Sequence, residues 1–314
     1  MCSDFTKEVD KDNIALITWN CLDKSMNTMS EGGLKAFQKL VVEALSDDEI
    51  KGIIITSGKA DFSGGMDLST LEGLKRNSGP NPASKIFEYI MEGHRLLRII
   101  ELGKIDDTYK SKPVAFAGGG ICAGIGTEIG LACHRRFFSG SKRSKIGLPE
   151  ILVGLFPGLG GTTRVARMMG LMGASSVLLE GKLFAGDKAK SIGLVDEVVA
   201  EHELIQKAKN WILSASPEDL IKPWDQKGFK FPGGAPYHPS GFMSFVGASA
   251  LVNGKTKGLY ASAKALLSSI YEGALVDFES ALKIEARWFT KVLMTDTCTN
   301  MARTLFLNKS ALEK

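Results

Sequence analysis

Residues 113–164, PVAFAGGGICAGIGTEIGLACHRRFFSGSKRSKIGLPEILVGLFPGLGGTTR, leave the backbone few courses. PVAFA is a short β-branched and aromatic run, which predicts a buried strand. Glycines follow, and IGTEIGLACH then has helical character. Glycine lets a backbone approach a ligand closely and present free N–H groups. A helix start adds unpaired N–H donors and a partial positive charge. Strand, glycine turn and helix start together make a cradle for a negative oxygen. Glu128 lies in the first turn of that helix. Glu150 follows Ile-Gly-Leu-Pro, where Pro149 fixes the backbone and excludes a helix just before it. Two carboxylates in apolar, glycine-rich settings near such a cradle suit general acid–base work on a carbonyl compound. An acidic residue in a first helical turn is also favourable without any function. The weight therefore falls on a third feature upstream, at Phe62 to Leu68.

With 314 residues the chain is about two domain lengths, or one large domain with an appendage. Hydrophobic residues make up 44% and charged residues 24%, ordinary for a globular protein. A net charge of +4 is too weak to argue for a nucleic-acid partner, and an anionic small ligand fits it as well. Cys2, Cys21, Cys122, Cys133 and Cys298 form no CxxC pair, which predicts reduced thiols in a cytoplasmic protein and no zinc site. His94, His134, His202 and His238 are scattered and show no metal spacing. No apolar run reaches the ~18 residues of a transmembrane segment. The first residues, MCSDFTKEVDKDN, lack the apolar core of a signal peptide.

In chain order, IALITWN at 14–20 predicts a strand and LDKSMNT at 22–28 a loop. Leu34, Phe37, Leu40, Val41, Ala44 and Leu45 recur at helical spacing across 33–46. GIIITSG at 52–58 predicts a strand buried on both faces. ADFSGGMDLSTL turns into a helix, so the order strand, helix, strand, helix implies parallel strands with crossovers. Residues 73–84, GLKRNSGPNPAS, read as a mobile loop. Residues 85–103 read as a helix with Ile86, Ile90, Leu97 and Ile100 inward. Arg135–Lys145 reads as a solvated basic loop, with phosphate contact as the lesser option. PGLGG feeds a helix at 162–169, GASSVLLEG a further helix, and AGDKAKSIGLVDEVV a short helix and a strand. HELIQKAKNWILSA is amphipathic. Five of the ten prolines fall in 216–241, an irregular arm, after which roughly 244–252, 258–272 and 275–313 read as helices. The expected division is a core over 1–215 and an arm with helical extension over 216–314.

Four segments, LDKSMNT, ADFSGGMDL, AGIGTEIGLA at 123–132 and IGLPEILVGLFPGLGGTTR at 146–164, resemble the crotonase superfamily of enoyl-CoA hydratases and isomerases. The likeness covers Ile14 to about Ser214, and four motifs in correct order are specific where each alone is weak. The tail, KPWDQKGFKFPGG and then LKIEARWFTKVLMTDTCTNMARTLFLNKSALEK, resembles the region after the hydratase core in alpha subunits of multifunctional fatty-acid oxidation complexes. In those proteins a 3-hydroxyacyl-CoA dehydrogenase part follows. No GxGxxG after a strand occurs here, so no dinucleotide site is expected.

The resemblance implies an α/β fold, a spiral of ββα units with two sheets and a C-terminal helical extension. It also implies roles. The backbone N–H groups of Met66 and Ile125 would form an oxyanion hole for the thioester oxygen. Counting back from Glu128 favours Ile125 over Gly124. Glu128 and Glu150 would be the catalytic pair, and Lys24, Met26, Asp67 and Leu68 would line the coenzyme A path. No metal or separate cofactor is implied, since the substrate carries coenzyme A. A thiolase subunit is the partner that the fused enzymes imply. Where the family often has Ala, Gly and Asp, this chain has Met66, Ile125 and His134. The donors are main-chain groups, so the first two changes are chemically allowed. The expected activity is hydration of a 2-enoyl-CoA, with isomerisation between 3-enoyl and 2-enoyl thioesters as a second outcome of the same pair. An isomerase alone, a silent acyl-CoA-binding module of a larger complex, and a glycine-rich α/β protein with structural glutamates are the competing expectations.

Overall fold

The computed structural model describes residues 4–77, 79–308 and 312. In chain order the elements are β1 (Phe5–Val9), β2 (Ile14–Trp19), α1 (Glu31–Ser46), β3 (Gly52–Ser57), α2 (Leu68–Asn77) and α3 (Pro82–Leu102). Then come β4 (Val114–Gly118), β5 (Ile121–Ala123), α4 (Ile125–Ala132), β6 (Arg135–Ser139), β7 (Lys145–Gly147) and a 3-10 turn over Glu150–Val153. These are followed by α5 (Gly161–Leu178), β8 (Leu183–Ala185), α6 (Gly186–Ser191), β9 (Glu197–Val199) and α7 (Leu204–Ser214). The last helices are α8 (Pro239–Thr256), α9 (Ala261–Gly273), α10 (Phe278–Leu293) and α11 (Asp296–Ala302), the last running into a π-helical turn over Arg303–Asn308. The chain forms two compact units. One comprises Met1–Asp67, Arg95–Gly147 and Leu183–Gln226; the other comprises Leu68–His94, Leu148–Lys182 and Lys227–Lys314.

The first unit carries both sheets. The larger has the order β1-β2-β3-β4-β6-β9, and the smaller β5-β7-β8. From β2 to β9 all neighbours in the larger sheet are parallel, with Ile17 opposite Ile55, Ile54 opposite Ala115 and Phe116 opposite Arg136. Only β1 runs antiparallel to β2, with Phe5 opposite Trp19. One face of this sheet meets α7: Ile14, Ile54, Ala115, Ala117 and Phe137 pack on Leu204, Ala208 and Ile212. The unbroken GIIITS run of β3 is explained by this, since its alternate side chains are buried on both faces. An aromatic stack also ties the hairpin to α1: Phe5 lies 5.3 Å from Trp19 and 4.9 Å from Phe37, centroid to centroid. Each ring so buried contributes ~1.5–3 kcal/mol, more than the ~0–1 kcal/mol of an exposed ion pair.

The chain passes from the larger sheet to the smaller in two residues, Gly119 and Gly120. Gly120 has φ 60°, and a Cβ there would lie 2.0 Å from Ala60 O. Only glycine fits both conditions. The Asp61 carboxylate accepts from the Ile121 N–H at 2.8 Å and sets where β5 begins.

The second unit is helical. Arg167 donates to the carbonyls of Gly273 and Val276 at 3.1 and 2.9 Å, so α5 satisfies the chain between α9 and α10. Phe156, just before α5, packs edge-on against Phe289 of α10 at 5.8 Å. Thr295 caps α11 through its hydroxyl, which accepts from Cys298 N at 3.3 Å. Among the described residues no helix is long and apolar enough to cross a membrane.

Several expectations need correction. The proposed loop at 73–84 is mostly helix: α2 continues to Asn77, and Pro82 opens α3, where a missing N–H costs nothing. The Asn81 side chain caps that start, accepting from Ser84 N at 3.3 Å. Of that stretch, Ser78 lies outside the described residues. The basic segment 135–145 begins as β6, and Arg136 is buried, not solvated. Its guanidinium meets Asp196 at 2.7 Å. The expected helix at 275–313 is divided at Met294–Thr295, where Thr295 caps a new one, and residues 309–311 and 313 of it lie outside the described residues. The helix expected at 244–252 is longer, Pro239–Thr256. Strand β1 gave no signal of its own: FTKEV buries only Phe5 among its five residues, and pairing with β2 holds it. The helices expected at 162–169 and over GASSVLLEG at 173–181 are present as α5, which ends at Leu178 and is broken at Gly170 with φ 67° and ψ 176°.

Candidate active site

Residues 62–66 run alongside residues 121–124. Ser63 N donates to Ile121 O at 3.0 Å, and Ala123 N donates to Ser63 O at 2.9 Å. A Cβ added to Gly65 would lie 3.9 Å from Ala123 O. Met66 is also bridged to Met29: Met29 N donates to Gly65 O at 3.0 Å, and Asp67 N donates to Met29 O at 2.9 Å. In such a bridge successive N–H groups point to opposite sides, so the Met66 N–H faces away from Met29. Gly65 N is used by Ser63 Oγ at 2.9 Å. Gly124, whose φ of 58° makes the sharp entry to α4, gives its N–H to Gly147 O at 3.2 Å. Ile125 is the first residue of α4, where a helix offers its amide no acceptor. Among the described residues, neither the Met66 N–H nor the Ile125 N–H is donated to a protein group. Two adjoining segments thus carry two unused main-chain donors, one at a helix start.

Glu128 lies one turn into the same helix, 3% exposed, with its own N–H bonded to Gly124 O at 3.1 Å. All eight residues of α4 are buried. Thr127 fixes the helix start: its Oγ1 lies 2.9 Å from Cys122 O and 2.8 Å from Gly147 O. Burying an anion-forming side chain this deeply is costly, so the position needs a reason beyond helix capping.

Glu150 belongs to the second unit. It opens the 3-10 turn directly after Pro149 and is half-buried. Its carbonyl accepts from Leu155 N at 3.1 Å, and left-handed Gly154, φ 78°, closes the turn.

Of the residues expected on the coenzyme A path, Lys24 and Asp67 meet. Lys24 Nζ is 2.7 Å from Asp67 Oδ2 and 2.7 Å from Thr28 Oγ1. Met26 lies over Gly64, where a Cβ would come 2.6 Å from its sulfur. Leu68, the next residue after Asp67, starts α2 in the second unit. Sequence reasoning passed over Asn27, although it stands inside LDKSMNT. Asn27 is fully buried and holds the loop: its Nδ2 is 3.0 Å from Trp19 O, 3.0 Å from Ser57 Oγ and 3.1 Å from Phe62 O. Its Oδ1 accepts from Cys21 N at 2.9 Å. An amide in a loop, next to Thr28, was the available signal.

The far end of α4 carries an unusual pair. Lys222 is buried and donates to Leu131 O at 3.1 Å and Cys133 O at 2.5 Å, placing a cation at the C-terminal end of the helix. Burial, with the Arg136 charge added, brings its pKa down to about 7. His134 Nδ1 accepts from Val114 N at 2.9 Å. Burial first, then the Lys222 charge, pushes the His134 pKa from 6.5 to about 3. The unfolded chain therefore binds a proton between pH 6.5 and 3 that the folded chain refuses. This contribution is complete above 6.5 and is lost as pH falls toward 3, with a slope of up to about 1.4 kcal/mol per pH unit. His134→Asn keeps an acceptor for Val114 N and cannot titrate. Its stability measured by urea unfolding should fall less steeply with acid than that of the parent. Identical slopes would refute the role.

The sheets, the buried glycine-bounded helix start and its free amides define a crotonase-like fold. The chain belongs to the enoyl-CoA hydratase/isomerase family, whose profile matches residues 10–219. It is 32% identical over 305 residues to the fatty acid oxidation complex subunit alpha of Shewanella amazonensis, covering 96% of this chain and 41% of that protein. It is 29% identical over 311 residues to the glyoxysomal fatty acid beta-oxidation multifunctional protein MFP-a of Cucumis sativus, covering 96% of this chain and 39% of the relative. The chain thus spans about two fifths of the length of these relatives. Among solved structures, an enoyl-CoA hydratase from Mycobacterium avium subsp. paratuberculosis shares the fold with a TM-score of 0.64 at 21% identity, covering 98% of this chain and 96% of that one.

Proposed function

We propose that this chain hydrates trans-2-enoyl-CoA thioesters to 3-hydroxyacyl-CoA in fatty-acid β-oxidation. The observation that carries the reading is the pair of unused amides, Met66 and Ile125, beside a buried Glu128 on one helix start. In a 2-enoyl thioester, C3 accepts a nucleophile only when the carbonyl oxygen can take up charge. Two N–H donors aimed at that oxygen stabilise the enolate, and losing one costs about 3–4 kcal/mol of barrier in comparable acyl chemistry. Glu128 takes a proton from water as its oxygen bonds to C3. The electron pair of the double bond moves onto the thioester as enolate. Glu150 gives its proton to C2, and the carbonyl re-forms. Net, one water adds across C2 and C3. The same carboxyl pair without water moves a proton between C2 and C4, which is the isomerase reaction. Lys24, Met26, Asp67 and Leu68 line the path of the coenzyme A portion. The assembled oxidation complex, with a thiolase subunit, is the proposed setting, supported by relatives named as subunits of such complexes.

A silent acyl-CoA-binding module is the reading from another class. Crotonyl-CoA separates the two: hydration removes the conjugated enoyl thioester, and its ultraviolet absorbance should fall with time and protein concentration. Tight binding with no absorbance change would favour the silent module.

A further inference from the structure

Helix α5 begins in PGLGG, a sequence with no side chain able to cap it. Gly160 stands at its N-cap with φ 93°, and a Cβ there would lie 2.0 Å from Arg164 Nη1, so a capping Ser or Asn would be strained and would displace the buried Arg164. The first-turn donors need an acceptor from elsewhere. Glu285 of α10, 0% exposed, is that acceptor. Its Oε1 accepts from Gly160 N at 2.6 Å. Its Oε2 accepts from Thr163 N at 2.8 Å and from Thr163 Oγ1 at 2.7 Å. His94 adds a further hold: its Nε2 lies 2.8 Å from Gly158 O, which can only accept, and 3.6 Å from Glu285 Oε1. Gly158 is itself pressed on Phe289, where a Cβ would come within 2.3 Å of the ring.

The segment so gripped starts at the Glu150 turn. Leu155 N bonds to Glu150 O, every residue from Leu155 to Gly160 is buried, and Gly154 packs on Met301 of α11. Buried segments packed at interior density transmit displacements instead of absorbing them. We infer that Glu285 is the positioning residue for Glu150: the helical extension sets the direction of the acid through one buried carboxylate. The inference rests on the acid–base reading above.

Glu285→Gln keeps the shape but turns an amide donor toward donors. In the full chain it should lower kcat for crotonyl-CoA about tenfold or more while KM changes less than about twofold. The loss should vanish when the same change is made in Glu150→Gln, because Glu285 then has no acid left to direct. Should Glu285→Gln not fold, Thr163→Val removes a single donor, and a loss of about threefold with the same cancellation is expected. A folded Glu285→Gln enzyme with parental kcat overturns the positioning role, as does an equal loss in the Glu150→Gln background. No hydration by the parent chain would overturn the acid–base reading and this inference together.

Discussion

Glu150→Gln should lower the hydration rate of crotonyl-CoA by about 10²–10⁴-fold, the span that a positioned acid or base supplies. Glutamine keeps the volume and one acceptor but cannot release a proton to C2. KM should change little, since the role proposed for Glu150 is proton transfer and not holding coenzyme A. Glu128→Gln should show a loss of similar size, because deprotonation of water and protonation of carbon belong to one addition. The double variant should be scarcely slower than either single one, as expected for groups that act as a unit. Circular dichroism and ligand binding must remain parental for the comparison to count. Near-normal turnover in folded Glu150→Gln protein would end the assignment.

The second large effect concerns stability. Asn27→Ala should destabilise the fold by about 3–5 kcal/mol, since one truncation strips partners from several buried groups at ~1–3 kcal/mol each. The Cys21 N–H loses its acceptor, and the carbonyls of Trp19 and Phe62 lose a donor. Asn27→Asp should be no remedy: its carboxylate can accept from Cys21 N but faces two carbonyls with no hydrogen to give. In urea, the midpoint should drop with an unchanged slope. A change under about 1 kcal/mol for Asn27→Ala would show that the network is dispensable.

The parallel sheet was legible because β-branched runs such as GIIITS record burial on both faces directly. The helix at Ile125 was legible from the glycine turn before IGTEIGLACH, and the one at Leu68 only as the helix into which ADFSGGMDLSTL turns. Strand β1 was not, since a strand with one buried residue in five resembles a polar tail until its partner is known. The turn at 73–84 misled for a related reason. Gly, Asn, Ser and Pro mark loops on average, but Pro82 and Asn81 here begin a helix. At the candidate site, the amides of Met66 and Ile125 could be proposed from motif position. Counting back from Glu128 favours Ile125 over Gly124, but nothing in the sequence signals the bond from Gly124 N to Gly147 O across the smaller sheet. Glu285 and Lys222 were invisible for the same cause. Each serves a helix end that is distant in the chain, Glu285 by 125 positions from Gly160 and Lys222 by 91 from Leu131.

The two-glycine step between β4 and β5 has an implication for how length can vary in proteins built this way. Gly120 sits against Ala60 and Asp61 with no slack, so an added residue there would rotate the following strand and carry the entrance of α4 off its mark. Extra length is tolerated more readily after β6, in the exposed turn around Lys142 and Arg143. Growth of the chain is thereby steered away from Gly120, and the spacing from β4 to the start of α4 is kept.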